Sequence, residues 1–187
     1  MNNKINMVFL LIFSTAINAA SKEQMILESK QSIKQYATQL KAKLQQGMKA
    51  GGPVNAIQVC NKAAEEISRQ VSDQQGWKIT RTSLKVRNSN NKPDVWETKV
   101  LQGFEQRMKK GEAIEKLDFS EIINKDSQHV FRYMKAIPMQ GICLSCHGDK
   151  LSPDVAEKLR ELYPEDQATG FKMEDIRGAF SITRNLN

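Results

Sequence analysis

The chain has 187 residues, with 28 Lys and Arg against 21 Asp and Glu, a net charge of +7 and 40% hydrophobic residues. At a mean hydropathy of −0.53 it reads as a soluble globular chain with one domain, residues 21–187, not as a membrane bundle or a disordered tail. The basic excess is scattered among Gln, Asn and Glu without dense basic runs or interleaved stacking aromatics, which excludes a nucleic-acid binder and leaves a solvated surface or a diffuse face for an acidic redox partner.

Residues 1–20 have the layout of a signal peptide. Lys4 supplies the positive end, Met7 to Ile17 the apolar stretch, and Ala19 and Ala20 the small residues of a cleavage point. The apolar stretch is too short for a membrane span, and Ser21-Lys22-Glu23 follows at once. The expectation is an exported, periplasmic protein that is soluble once the signal is removed.

Residues 23 to 49 predict a long amphipathic helix, with Ile26, Ile33, Ala37, Leu40, Leu44 and Met48 recurring at helical spacing. Gly51-Gly52 ends it. Pro53 then suits the first turn of a second helix to about Ser72, whose stripe is Ala56, Cys60, Ala63, Ile67 and Val71. Trp77 to Val86 reads as a strand, followed by a turn-rich loop to Pro93. Asp94 and Glu97 form a capping box for a helix to about Met108, with Trp96, Val100, Phe104 and Met108 on one face and Gly111 as its stop.

Lys116 to Ile123 and His129 to Ile137 predict two antiparallel strands joined by the turn Asn124-Lys125-Asp126-Ser127. Ser152-Pro153 opens a short helix to about Leu162, and Ile176 to Ile182 makes a last strand. Helices first and an antiparallel sheet after them give an α+β fold.

Between these elements lies Cys143-Leu144-Ser145-Cys146-His147. Cys-x-x-Cys-His is the attachment signature of c-type haem: two thiols each add to a vinyl group of one porphyrin, and the following histidine is an axial ligand of its iron. A zinc knuckle would need a second close ligand pair, which the remote Cys60 does not provide. A thioredoxin-like dithiol needs a strand-motif-helix context, whereas Pro138, Gly141 and Gly148 surround this motif with loop signals. The implied cofactor is one covalent haem c.

Three cysteines are an odd number for an exported chain, so Cys60 is left over. It is one candidate for the iron's second axial position, with His129 and the methionines Met108, Met134 and Met139 as the others. Met134 and Met108 sit in apolar patterns that suit core packing, and Met139, four residues before Cys143, is awkwardly placed to reach the opposite face of the ring. His129 opens a strand and reads equally well as a surface histidine. A cysteine in a helix stripe is commonly an inert buried thiol, yet a thiolate over ferric iron would push the potential strongly negative. Arg81, Lys85 and Arg87, on or beside the first strand, are candidates for salt bridges to haem propionates or for solvent-facing and loop-stabilising roles.

Several separate segments resemble one family. They are Ala56-Ile57-Gln58-Val59-Cys60 with Ala63 to Ile67, Arg81 to Asn88, Asn91-Lys92-Pro93-Asp94, Trp96-Glu97, Cys143 to Gly148 and Ile176 to Ile182. Together they are similar to the exported c-type-haem-binding domain with a PAS-like fold, found alone or as a sensory input domain and long labelled of unknown function. Glu174 stands where that family often has glycine in a turn. The resemblance implies a haem held between N-terminal helices and a PAS-like antiparallel sheet, with Cys60 as the axial ligand opposite His147.

The expected function is a periplasmic monohaem cytochrome that senses redox state or a small gas such as carbon monoxide or nitric oxide, signalling through a separate partner. The rival is a small electron carrier. A haem enzyme would need a positioned acid–base group at an open face, and His129 is the one histidine left for that role, so no enzymatic activity is expected. The stripe of a flanking helix such as 23–49 would serve either a homodimer or packing on the chain's own sheet.

Overall fold

The structure, a computed structural model, describes residues 10–125 and 128–186. Residues 1–9 of the expected signal segment, and Asp126 and Ser127 of the expected turn, lie outside the described residues. Helix α1 (Leu10–Gln75) is a hairpin of two arms, broken where Gly51 (φ −171°, ψ 27°) and Gly52 (φ 67°, ψ −160°) leave helical geometry. Pro53 starts the second arm, where its missing N–H costs nothing. The first arm is helical from Leu10, earlier than periodicity alone predicts, since no glycine or proline interrupts 10–46. Among the described residues no helix is long and apolar enough to cross a membrane.

Four strands follow: β1 (Lys78–Thr82), β2 (Asp118–Lys125), β3 (Gln128–Pro138) and β4 (Ile176–Asn185). They form one antiparallel sheet in the order β1-β4-β3-β2. Ile79, Ile182 and Tyr133 sit in one row across three strands. With Phe131 and Phe180 they receive Met25, Ile33, Tyr36, Ile67 and Val71 from both arms of α1. Each such side chain contributes about 1.5–3 kcal/mol on burial.

On the opposite face lies α2 (Val95–Lys109), which packs Val100, Leu101 and Phe104 against Met134, Ala136 and Ala179. The Asp94–Glu97 capping box is formed as expected, and Trp96 and Met108 lie at the rim of this cluster. The fold is therefore α+β, a four-stranded sheet between a helical hairpin and a single helix.

Strand β1 stops at Thr82, short of the expected Val86, because the backbone crosses β4 closely there. A Cβ on Gly178 would lie 2.3 Å from the Thr82 carbonyl oxygen. Ser83 turns out of the sheet, its hydroxyl donating to the Arg177 carbonyl at 2.8 Å. The outer edge of β1 is closed by α1. Ser68 Oγ donates to the Ile79 carbonyl at 2.5 Å, and the Ile79 N–H donates to Ser72 Oγ at 3.0 Å. Those two bonds occupy edge groups that would otherwise template another strand.

Candidate functional site

Strand β3 delivers the chain to the cysteine motif. After Pro138, the Met139 N–H donates to the Asp175 carbonyl at 2.9 Å, and its side chain is buried with Ala168 and Phe171 against Cys143 and Leu144. A 3-10 turn at Gly141–Cys143 runs directly into the single helical turn α3 (Leu144–His147). That local helix puts Cys143 and Cys146, three residues apart, on one face. Both thiols are half-buried and free, as is Cys60. Helix α4 (Pro153–Leu162) backs the turn. Its Val155 and Leu159 enclose Cys146 together with Val54 and Ile57 of α1, one helical turn before Cys60.

His147 is held from several sides. Its Nδ1 lies 2.7 Å from the Ala168 carbonyl oxygen, and its Nε2 lies 3.3 Å from Nε of Arg177. A carbonyl only accepts and a guanidinium only donates, so Nδ1 carries the hydrogen and Nε2 presents its lone pair. The backbone is pinned as well: the Phe171 N–H donates to the His147 carbonyl at 2.9 Å, and the Gly170 N–H to that of Gly148 at 3.0 Å. Burial, reinforced by Arg177 and Arg87, pulls the imidazole down to about 2, so it is neutral.

Arg87 is the strut of the site. Nε donates to Asp166 at 3.0 Å, and its terminal nitrogen donates to the carbonyls of Cys146 at 2.5 Å and Ala168 at 3.2 Å. Asp166 in turn accepts the Ala168 N–H at 2.7 Å. One guanidinium thus ties the cysteine turn to the segment that orients His147. Lys85 is also engaged, donating to the Thr169 carbonyl at 3.3 Å and lying 5.1 Å from the Phe171 ring centre.

Cys60 faces this group from the second arm of α1, and α3 packs against α1. Burial pushes the Cys60 thiol up and Arg81 opposes it; burial pushes Cys146 up, Arg87 opposes it, and Cys60 and Cys143 add to the rise. Arg81 lies 5.7 Å from the ring centre of Tyr36 on the first arm. His129 is elsewhere, at the start of β3 with Nδ1 2.6 Å from Asn124 Oδ1. The strand carries it roughly 30 Å from Pro138. Met134 and Met108 belong to the cluster under α2.

The structure thus gathers Cys60, Cys143, Cys146, His147, Arg81, Lys85 and Arg87, and leaves His129, Met108 and Met134 apart. Sequence reasoning missed Arg177, Phe171 and Asp166. Strand alternation puts Arg177 on the α2 side with Ala179, but a register shift opposite Ile137 and Pro138 breaks the alternation. Arg177 instead stacks 5.4 Å from the Phe171 ring centre and reaches His147. Burial with Arg87 and Arg81 nearby lowers it to about 9, so it stays charged at neutral pH.

Among the described residues no three His, Cys, Asp or Glu side chains converge as a cage for a bare ion. The donors are spread, which suits a flat group bonded at separate points: two thiols on one helical face, an imidazole lone pair, and a third thiol on another element. Two open clefts are present: one of about 260 Å³, walled by Leu84, Met108 and Phe171, lies beside the site, and one of about 480 Å³, floored by Thr80, Thr183 and Arg132, lies toward the start of β3. Neither is lined by a cysteine or by His147.

Residues 14–184 match the model of a family described as Tll0287-like. Among solved structures the chain is similar to that described as the crystal structure of the cyanobacterial heme-protein Tll0287, at 20% identity and a TM-score of 0.66, over 88% of this chain and 96% of that one. No curated protein matches.

Proposed function

The chain belongs to the Tll0287-like family, and on that footing we propose that it is an exported, periplasmic monohaem c-type cytochrome with a PAS-like fold. Cys143 and Cys146 would hold the group through two thioether links, and His147 Nε2 and Cys60 would be the ligands of its iron. Haem supplies a redox-active iron whose potential follows its axial ligands. One observation carries this reading. The Ala168 carbonyl fixes the His147 tautomer so that Nε2 offers a lone pair, beside three free thiols on two elements. An axial histidine anchored through its other nitrogen is the usual arrangement at metal sites.

Within that site the chain acts as a sensor of redox state or of a small gas. Cys60 sits on a helix separate from the covalent attachment, so it can leave the iron without releasing the cofactor. Cys60 would be the exchangeable ligand, the one to yield to carbon monoxide or nitric oxide in the reduced protein, and α1, which carries it, would pass the change to a separate signalling partner. A small electron carrier is the second reading; it requires that Cys60 stay bound in both redox states.

Absorption and electron paramagnetic resonance spectra of the oxidised protein test the assignment, in wild type and Cys60→Ala. A low-spin thiolate signature that vanishes on substitution is the expected result, and identical spectra overturn Cys60 as the ligand. A redox titration under carbon monoxide then separates the two functions, since a carrier keeps both axial ligands and shows no shift.

A further inference from the structure

Three guanidinium groups lie around the half-buried His147: Arg177 Nε donates to its Nε2 at 3.3 Å, Arg87 donates to the same Ala168 carbonyl that its Nδ1 contacts, and Arg81 on β1 pairs with Phe180, three residues along β4 from Arg177. Asp166 neutralises Arg87 at 3.0 Å, and both of its oxygens are occupied, by Arg87 and by the Ala168 N–H. Among the described residues neither Arg81 nor Arg177 forms an ion pair. Arg177 makes only long bonds to neutral acceptors, 3.3 Å to His147 Nε2 and 3.4 Å to the Lys85 carbonyl, and both cations rest on aromatic rings. Both are half-buried, and a partly desolvated cation held by neutral groups alone is under-compensated. Two positive charges around one site are left to be balanced.

We propose that Arg177, with Arg81, is the anion-binding pair of this site, that the two take the carboxylates of the prosthetic group, and that Arg177 gives up His147 Nε2 to do so. The inference rests on the haem reading above, because haem brings two propionates to the same place. The nitrogen to which Arg177 donates is the one that reading assigns to iron, and one lone pair cannot serve both. Binding therefore breaks the 3.3 Å bond and frees a planar group whose best partner is a carboxylate. Arg87 and Lys85, expected from sequence in this role, are already committed to Asp166 and to backbone carbonyls. Until the cofactor arrives, Arg177 is the latch that keeps the imidazole in position.

The test uses the full chain produced without covalent attachment, titrated with ferric protoporphyrin IX and with its dimethyl ester. Wild type is expected to bind the diacid at least about tenfold more tightly than the ester, the size of one charge-assisted hydrogen bond. Arg177→Gln loses most of that preference, Arg177→Lys keeps part of it, and the Arg81→Gln/Arg177→Gln pair abolishes it. Equal binding of both porphyrins by wild type overturns the proposal without any variant, and so does a preference that survives in the double variant. Binding of neither porphyrin overturns the anion pair, whereas a matured, exported chain whose mass shows no attached haem overturns the haem reading itself. Circular dichroism of each variant separates a lost contact from a lost fold.

Discussion

Gly178 on β4 crosses Thr82 on β1 so closely that a Cβ at 178 would sit 2.3 Å from the Thr82 carbonyl oxygen and 3.0 Å from Ser83 Cβ. With φ at +156°, the residue also occupies backbone space that other residues rarely adopt. The crossing ends β1 and breaks the alternation of β4, which sends Arg177 toward His147. Gly178→Ala is therefore expected to cost about 2–4 kcal/mol in denaturant unfolding, from backbone strain and overpacking together. A change within error means that the two strands separate freely and that the crossing does not fix Arg177.

What was legible in the sequence follows from what local chemistry dictates. Asp94 and Glu97 announce α2 by capping geometry, and alternation and turn residues give β2, β3 and α4 to within a few residues. The cysteine motif declares its own chemistry. The direction of Arg177 was hidden, because a long-range backbone approach at Gly178 decides it. Ser29 and Ser32 lie buried on the core face of α1, where a hydrophobic stripe cannot find them; their hydroxyls satisfy themselves on the carbonyls of Met25 and Glu28. Asp166 was invisible for the same reason as Arg177, its partner Arg87 being 79 residues away.

That Arg87–Asp166 pair is nearly buried, with side-chain exposures of 12% and 9%. Asp166→Ala leaves a buried guanidinium unpaired and is expected to cost about 3–5 kcal/mol by urea unfolding. The exposed Arg69–Glu66 pair on α1 is the control, at 66% and 47% exposure; Glu66→Ala should leave the unfolding midpoint unchanged. Equal effects at the two sites mean that Asp166 is not the strut of the cysteine turn.

Acid should weaken the contact between α1 and the sheet at Asp118. Burial by itself raises this carboxyl, but Lys30 at 3.0 Å and the Tyr133 hydroxyl at 2.9 Å prevail and hold it below the ordinary carboxylate value. A carboxyl with a lowered folded pKa contributes its full stabilisation above its unfolded pKa, about 4, and loses it as pH falls through the folded value. The half-exposed setting limits the contribution to about 1 kcal/mol. Asp118→Asn is expected to flatten the acid limb of the stability–pH profile, and a limb of unchanged slope rejects the assignment.

Arg132 ties β3 to the first turn of α2 with three contacts at once. Its guanidinium stacks 4.2 Å from the Trp96 ring centre, donates to Asp94 Oδ2 at 2.7 Å and pairs with Glu97 Oε1 at 3.3 Å. Asp94 and Glu97 are meanwhile the two halves of the capping box, exchanging backbone bonds of 2.7 and 2.9 Å. The half-exposed Asp94 is mainly a cap, and Asp94→Ala should cost about 1–2 kcal/mol. Glu97 is buried, so Glu97→Ala removes a cap and uncovers a buried cation, for about 3 kcal/mol. Arg132→Lys keeps the charge but cannot stack flat while serving both acids. Tryptophan fluorescence reads this directly: the Trp96 signal should change in Arg132→Lys and Glu97→Ala but little in Asp94→Ala. If all three variants leave it unchanged, Arg132 does not hold α2 against the sheet through Trp96.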